Sequence, residues 1–418
     1  MATSKHHQIL IIGGGAAGIT VAASLRRRQG SRKLDIALVE PSDYHYYQPA
    51  FTLVGAGTYS LAKTRRSERT LIPRGITWLA DAATGFDPEA NAVSCASGDT
   101  VSYDYLVVCP GLELNWEKID GLSDALGKNG VCSNYSPEHV QYTWSCLQQL
   151  NSGGTALFTQ APLPFKCPGA PQKIVYLAAH HLQKKDILKD CNIRFLTHAP
   201  AMFSVPLFAA ELDKVAARWD VDVHFQTNLV AVDGDAKQAT FEFVGGDREG
   251  EKITMDFDML HATPYQSPPA AVKTSPLANE GGWVDVHQHT MQHNKYPNVF
   301  GLGDAGSTPN SKTAAAVRKQ APVVVRNLLK LIDGGTVEDQ SYDGYGSCPL
   351  TTAYGKVILA EFTYGGKVTP TFPLDPRKER RVMWWVKKTA LPAMYWDYML
   401  KGYEWFPAHD THYEAPAA

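Results

Sequence analysis

The chain has 418 residues, 44% of them hydrophobic and 20% charged, with a net charge of −2. That length and balance suit an ordinary globular protein of two domains, and the near-zero charge argues against a general nucleic-acid binder. Seven cysteines with no C-x-x-C pair exclude a secreted disulfide framework and a zinc ribbon, and no metal is expected.

The opening MATSKHHQ leads straight into an apolar run, ILII, that is too short for a signal peptide, and none is expected. Gln8–Ile12 reads as a short buried strand. Gly13, Gly15 and Gly18 follow at once in the pattern G-x-G-x-x-G, and Ile19–Arg28 reads as a helix. A second strand, Leu34–Val39, ends in Glu40, 22 residues after Gly18. In this context Gly13 turns the chain, Gly15 lets a pyrophosphate approach, Gly18 permits close helix packing, and Glu40 accepts from a ribose hydroxyl. The segment 41–73 is aromatic, then basic; its arginines suit a solvated face as well as a cofactor. Ile76–Ala83 and Asn91–Ser97 alternate as hairpin strands. Tyr103–Gly111 reads as a buried strand whose small-residue turn, at Gly111, closes over the adenine side of FAD, with Cys109 as core packing.

After helical character at Pro137–Leu150, the strand Thr155–Thr159 enters TQAPLPFKCPGAPQK rather than a second glycine-rich turn. A phosphate-binding turn needs glycines and free N–H groups; Pro162, Pro164, Pro168 and Pro171 remove four donors and fix φ. The loop instead holds one thiol, Cys167, beside Lys166 and ahead of a candidate helix, Ala170–His181. A cation and a helix N-terminus both lower a thiol pKa, so a sulfur substrate rather than a nicotinamide is expected to reduce the flavin. Ile193–Thr197, Leu207–Trp219 and Asp222–Gln226 repeat the βαβ rhythm, and Leu229–Glu242 with Lys252–Phe257 supply hairpin strands. Asp258–Pro264 reads as a strand returning to the flavin domain, and Gly282–Gln292 as a short hairpin. NVFGLGD (298–304) delivers Asp304 to the flavin ribityl chain, and a helix starting at Lys312 presents its positive end, with or without the lysine's own charge, to the pyrimidine edge. Pro322 should kink that helix.

Cys348 lies in YGSCPLTTAYGKVILAEF. Beyond it, six basic residues between Arg377 and Lys388 flank Trp384 and Trp385, and Pro392 divides two short amphipathic helices. Basic residues interleaved with Trp and Tyr suit a membrane surface; the alternative is a terminal helix docked on its own domain. No stretch of about 18 uncharged apolar residues occurs, so nothing is expected to span a bilayer.

With these motifs in place the chain resembles the sulfide:quinone oxidoreductases, in particular the mitochondrial-like group. The likeness runs from about Gln8 to Pro407 and is most specific at FKCPGAPQK, NVFGLGDAGSTPNSKTAAA and YGSCPLTTAYGKVILAEF. The resemblance implies an α/β, tandem Rossmann-like flavoprotein with a C-terminal amphipathic membrane-surface segment. Its parts would be a discontinuous FAD domain (1–120 and 297–345), a second Rossmann-like domain carrying Cys167 (121–296), and a C-terminal region (346–418). It further implies FAD, oxidation of hydrogen sulfide at a redox-active cysteine pair, transfer of sulfane sulfur to a small acceptor, and reduction of ubiquinone. The position implied is peripheral, on the inner or cytoplasmic membrane. Some relatives attach FAD through a cysteine near the second strand; with none between Met1 and Asn91, non-covalent FAD is expected here. Cys132 lies near the place of a third cysteine used by some relatives.

On this reading Cys167 is the thiolate that attacks the flavin and Cys348 the carrier of sulfane sulfur. Tyr354 and the C-terminal aromatics are expected to wall a quinone pocket. Three rivals remain at the level of sequence: a type II NADH:quinone oxidoreductase, the flavoprotein of a cytochrome-coupled sulfide dehydrogenase, and a non-catalytic flavin-bound sensor. The missing glycine turn counts against the first and the paired cysteines against the last.

Overall fold

The computed structural model describes residues 4–404. The strand Ser4–Ile12 is the axis of the first sheet, because its Ile and Leu residues at 9–12 are buried on both faces, as a parallel strand between helices requires. It pairs in parallel with Ile36–Val39 on one side and Thr100–Val108 on the other. Val299–Gly301 adds in parallel to Thr100–Val108. The helix Ala16–Arg28 follows the first strand after three glycines and buries an inner face of Ala, Gly, Ile and Val. Of the two segments expected as hairpin strands, 91–97 is one, with Ala92–Cys95 also antiparallel to Thr100–Val108, but 76–83 is not. Thr77–Leu79 is instead a parallel edge strand against Ile36–Val39, and the hairpin joins Ala83–Asp87 to Ala92–Cys95. Alternating apolar residues look alike in either setting.

A second parallel sheet runs in the order Val131–Cys132, Met259–His261, Thr155–Gln160, Asn192–Thr197, Asp222–His224. Helices Ala170–Lys184 and Pro206–Arg218 make its crossovers. The segment expected to return to the flavin sheet therefore stays in the second one, with Ala156 opposite Met259. Thr227–Asp233, Gln238–Phe243 and Lys252–Asp256 form a small antiparallel sheet beside it. Residues 282–292 form bridges and turns rather than a regular hairpin.

The hairpin Gly346–Ala353 with Lys356–Phe362 packs on the helix Ala170–Lys184, and Thr351 Oγ1 donates to the carbonyl of Lys173 at 3.3 Å. The chain then turns into Arg381–Trp385 and Leu391–Asp397. Pro392 does not divide two helices: residues 386–390 widen into a π turn, so the backbone stays helical through the proline. No helix among the described residues is long and apolar enough to cross a membrane.

Candidate active site

The first sheet, the loop after the second sheet's central strand and the C-terminal helix meet around a cleft of about 390 Å³. Gly13 has φ +102°, and a Cβ there would lie 2.5 Å from the carbonyl of Cys109. A Cβ at Gly18 would lie 1.8 Å from the carbonyl of Gly13, whereas at Gly15 nothing stands within 4 Å. The outer glycines thus close the turn, and the middle one leaves room over the cleft. Glu40 receives the N–H groups of Gly14 and Ser42, both at 2.7 Å, and burial pushes its carboxyl above the ordinary value.

Gly111, with φ +77°, and Asp304 also line the cleft. Burial raises the Asp304 carboxyl, against the opposing charges of Lys312 and Lys166. Lys312 precedes the helix Ala314–Ile332 rather than opening it; Thr313 is the cap, its side chain accepting from the N–H of Ala316. The Lys312 ammonium donates to the carbonyls of Gly306 (2.5 Å) and Thr308 (3.2 Å), and burial lowers its pKa to about 8. Glu68 Oε1, both amide atoms of Asn134 and the Tyr135 hydroxyl are buried lining atoms with no protein partner. Such groups need a ligand, and the length, glycine turn and polar wall together fit FAD.

The proline-rich loop carries Cys167 to the edge of the cleft. Cys167 sits at φ +51°, a conformation costing roughly 1–3 kcal/mol for an L side chain, and its N–H donates to the carbonyl of Lys312 at 2.8 Å. That bond ties the loop to the flavin domain. Cys348 arrives from the hairpin strand, 2% exposed. A Cβ at Gly169 would stand 2.5 Å from the Cys348 sulfur, so the glycine makes the approach possible. Both cysteines are free thiols in mutual hydrogen-bonding contact. The bond from Cys348 holds the Cys167 thiol well below its ordinary value against the effect of burial, with help from Lys173 and Lys387. The same bond, with burial, pushes Cys348 well above.

Lys166 is not the cation at the thiol. Its ammonium is coupled to Asp304, and burial lowers its pKa to about 8. The partner is Lys173, whose Nζ donates to Cys167 Sγ at 3.2 Å from the first turn of the helix. Burial lowers the Lys173 pKa, but the adjoining Cys167 and Cys348 outweigh it and raise the ammonium above its ordinary value. Lys387, from the π turn, is the second cation; burial and then Lys173 lower its pKa to about 7. Sequence reasoning missed both. Lys173 was visible six residues beyond the cysteine at the start of a predicted helix, while Lys387 had no local signal. Cys132 lies apart from this pair, buried and hydrogen-bonded to Cys146.

A second, more apolar cleft of about 200 Å³ opens on the other side of Cys167, walled by Tyr47, Tyr345, Leu391, Met394, Tyr395 and Met399. Tyr354 is not among its lining residues; its hydroxyl donates to the carbonyl of Ala56 at 2.9 Å. Trp385 is 58% exposed on the outer side of this C-terminal segment, while Tyr403, 45% exposed, lines the apolar cleft and lies under the Arg27 guanidinium. Trp405 and Phe406, part of the same aromatic tail, lie outside the described residues.

Residues 7–140 match the model of the pyridine nucleotide-disulphide oxidoreductase family. The chain is 43% identical over 404 residues to the mitochondrial sulfide:quinone oxidoreductase of Mus musculus, covering 97% of this chain and 88% of that one. To the protein of that name from Dictyostelium discoideum it is 44% identical, over 96% and 87%. The X-ray structure of the Aquifex aeolicus sulfide:quinone oxidoreductase superposes with a TM-score of 0.77 at 21% identity, over 96% of this chain and 92% of that one, which establishes the common α/β fold. The chain belongs to the sulfide:quinone oxidoreductase family of FAD-binding flavoenzymes.

Proposed function

We propose that this chain oxidises hydrogen sulfide at Cys167 and Cys348, hands the sulfane sulfur to a small nucleophile and delivers two electrons to ubiquinone from the surface of a membrane. The observation that carries this reading is one thiol, Cys167, that touches Cys348, accepts from Lys173 at 3.2 Å and lines both clefts.

The starting point is the Cys167–Cys348 disulfide. Hydrosulfide attacks the Cys348 sulfur; the new S–S bond leaves a persulfide on Cys348, and the broken one releases Cys167 as a thiolate. Lys173 and Lys387 make Cys167 the better leaving group, since both favour its anion. An acceptor thiol, sulfite or a further sulfide then takes the outer sulfur and leaves Cys348 as a thiol. The glycine turn, Glu40, Gly111, Asp304 and Lys312 would hold FAD without a covalent bond, and it would supply the two-electron acceptor that closing the two thiols into a disulfide requires. The apolar cleft suits a quinone ring, and the exposed aromatic segment suits the headgroup layer from which quinone enters.

Anaerobic sulfide added to the flavin-loaded enzyme should bleach the flavin, and a short-chain ubiquinone should restore its colour. Cys167→Ser and Cys348→Ser should keep the yellow cofactor and lose the bleaching. Bleaching by NADH, or undiminished sulfide bleaching in both variants, would sink the proposal.

A further inference from the structure

Reducing a quinone to a quinol needs two protons as well as two electrons. One wall of the apolar cleft, Tyr395, is shared with the flavin cleft. Its hydroxyl is 2.5 Å from His45 Nε2. The other ring nitrogen, Nδ1, is 3.1 Å from the carbonyl of Gly14 and 3.4 Å from Glu68 Oε2. Tyr395, His45 and Glu68 are 5%, 5% and 1% exposed, and the second Glu68 oxygen has no protein partner. His45 and Glu68 line the flavin cleft and Tyr395 lines both clefts, so this buried Tyr–His contact, with a carboxylate beside the ring, runs from one cleft to the other.

We propose that Tyr395, His45 and Glu68 form a proton relay that supplies one of the two quinol protons to a quinone in the apolar cleft. The inference rests on the reading of that cleft as a quinone site. A carbonyl can only accept, so Gly14 requires a hydrogen on Nδ1. In the neutral ring Nε2 then accepts from the Tyr395 hydroxyl; in the imidazolium Nε2–H donates to it, and the hydroxyl hydrogen is free to turn toward the cleft. The loaded form is the imidazolium with the Glu68 carboxylate beside it. As electrons originating from sulfide reach the quinone, the Tyr395 O–H bond breaks and a quinone O–H bond forms. The Nε2 proton passes to the tyrosine oxygen in the same movement. The ring is left neutral with Nδ1–H on Gly14, and water returns its proton before the next turnover. Burial pushes the Tyr395 hydroxyl well above the ordinary tyrosine value, so the phenol does not rest as an anion. The charged and titratable groups facing His45 are Glu68, Glu40, Tyr395 with its neighbour Tyr47, and Arg66, whose guanidinium stacks over Trp396. Tyr395 is the catalytic residue of this step; His45 holds the proton that follows, and Glu68 is a positioning residue whose carboxylate faces the charged ring.

The test uses the flavin-loaded enzyme and decylubiquinone, with Tyr395→Phe and His45→Gln as variants. Three quantities are read: flavin bleaching by sulfide, the rate at which quinone restores the flavin between pH 5.5 and 9, and calorimetric affinity of the oxidised enzyme for the quinone. In the wild type, restoration should be fast on the acid side and fall through a single inflection. Once bleached, both variants should restore at least tenfold more slowly than the wild type and lose the inflection, and Tyr395→Phe should also bind quinone several-fold more weakly. Variants with wild-type restoration and pH profile, or slowed by one factor at every pH with the inflection kept, would overturn the relay alone. A wild-type enzyme that bleaches with sulfide but neither binds quinone nor is restored by it would overturn the quinone reading and the relay together.

Discussion

A thiolate is only as stable as the positive charge within reach, and at Cys167 that charge comes from Lys173, 3.2 Å away, rather than from the residue before it. Replacing Lys173 by Met removes a favourable term for the anion and leaves the thiol form untouched. In the reduced enzyme the Cys167 pKa should therefore rise, and its alkylation by iodoacetamide should need higher pH than in the wild type, read by mass spectrometry on the Cys167 peptide. Lys166→Met should leave that profile near the wild type, because the Lys166 ammonium answers to Asp304. The same comparison shows what the residue string reveals. FKCPGAPQK announces a held thiol, and the glycine turn with Glu40 announces a dinucleotide, because those chemistries are local. Which of two lysines meets the sulfur is decided by side-chain direction in a left-handed turn, and that is invisible until the loop is folded.

Between elements, Arg218 at the end of the helix Pro206–Arg218 forms an ion pair with Glu379, in the segment that follows the C-terminal hairpin. Arg218 donates to both Glu379 oxygens, at 2.6 and 2.9 Å, and Lys356 adds a third contact at 3.2 Å. Burial alone would raise the Glu379 carboxyl, but the hydrogen bond from Arg218, the Arg218 charge and Lys356 hold it down to about 2. A depressed carboxylate contributes stability that is fully present above its unfolded value near 4.5 and is lost as pH falls toward 2. The urea midpoint should therefore drop across that window. Glu379→Gln should remove the part of the drop due to this group, about 1–2 kcal/mol once solvent screening is allowed for. Helices and parallel strands were legible in the sequence because each carries its own period. Partners were not: Thr77–Leu79 and Met259–His261 read correctly as strands and went to unexpected neighbours. Pro392 read as a break for the same reason, since a π turn upstream leaves no mark in the apolar pattern.

At the scale of the whole molecule, the C-terminal segment has two tasks, and neighbouring tryptophans divide them. Successive helical residues point about 100° apart. Trp384 turns inward to meet Tyr354 edge-on, with ring centroids 6.4 Å apart, while Trp385 stays 58% exposed beside Val382 at 52%. Inward, the segment brings Lys387 to the thiols and Tyr395 to both clefts; outward, it presents apolar surface that nothing in the described chain covers. Half-burying an indole and a valine in a headgroup layer is worth about 1–3 kcal/mol in total. Val382→Ser combined with Trp385→Ser should accordingly weaken flotation of the flavin-loaded enzyme with phosphatidylcholine–phosphatidylglycerol vesicles by about tenfold or more. Sulfide should still bleach the flavin at the wild-type rate, because neither side chain lines the thiol site. Reduction of a water-soluble short-chain quinone should also persist, while reduction of long-chain ubiquinone held in the vesicles should fall with the flotation. Undiminished flotation of the double variant would mean that this face meets something other than lipid.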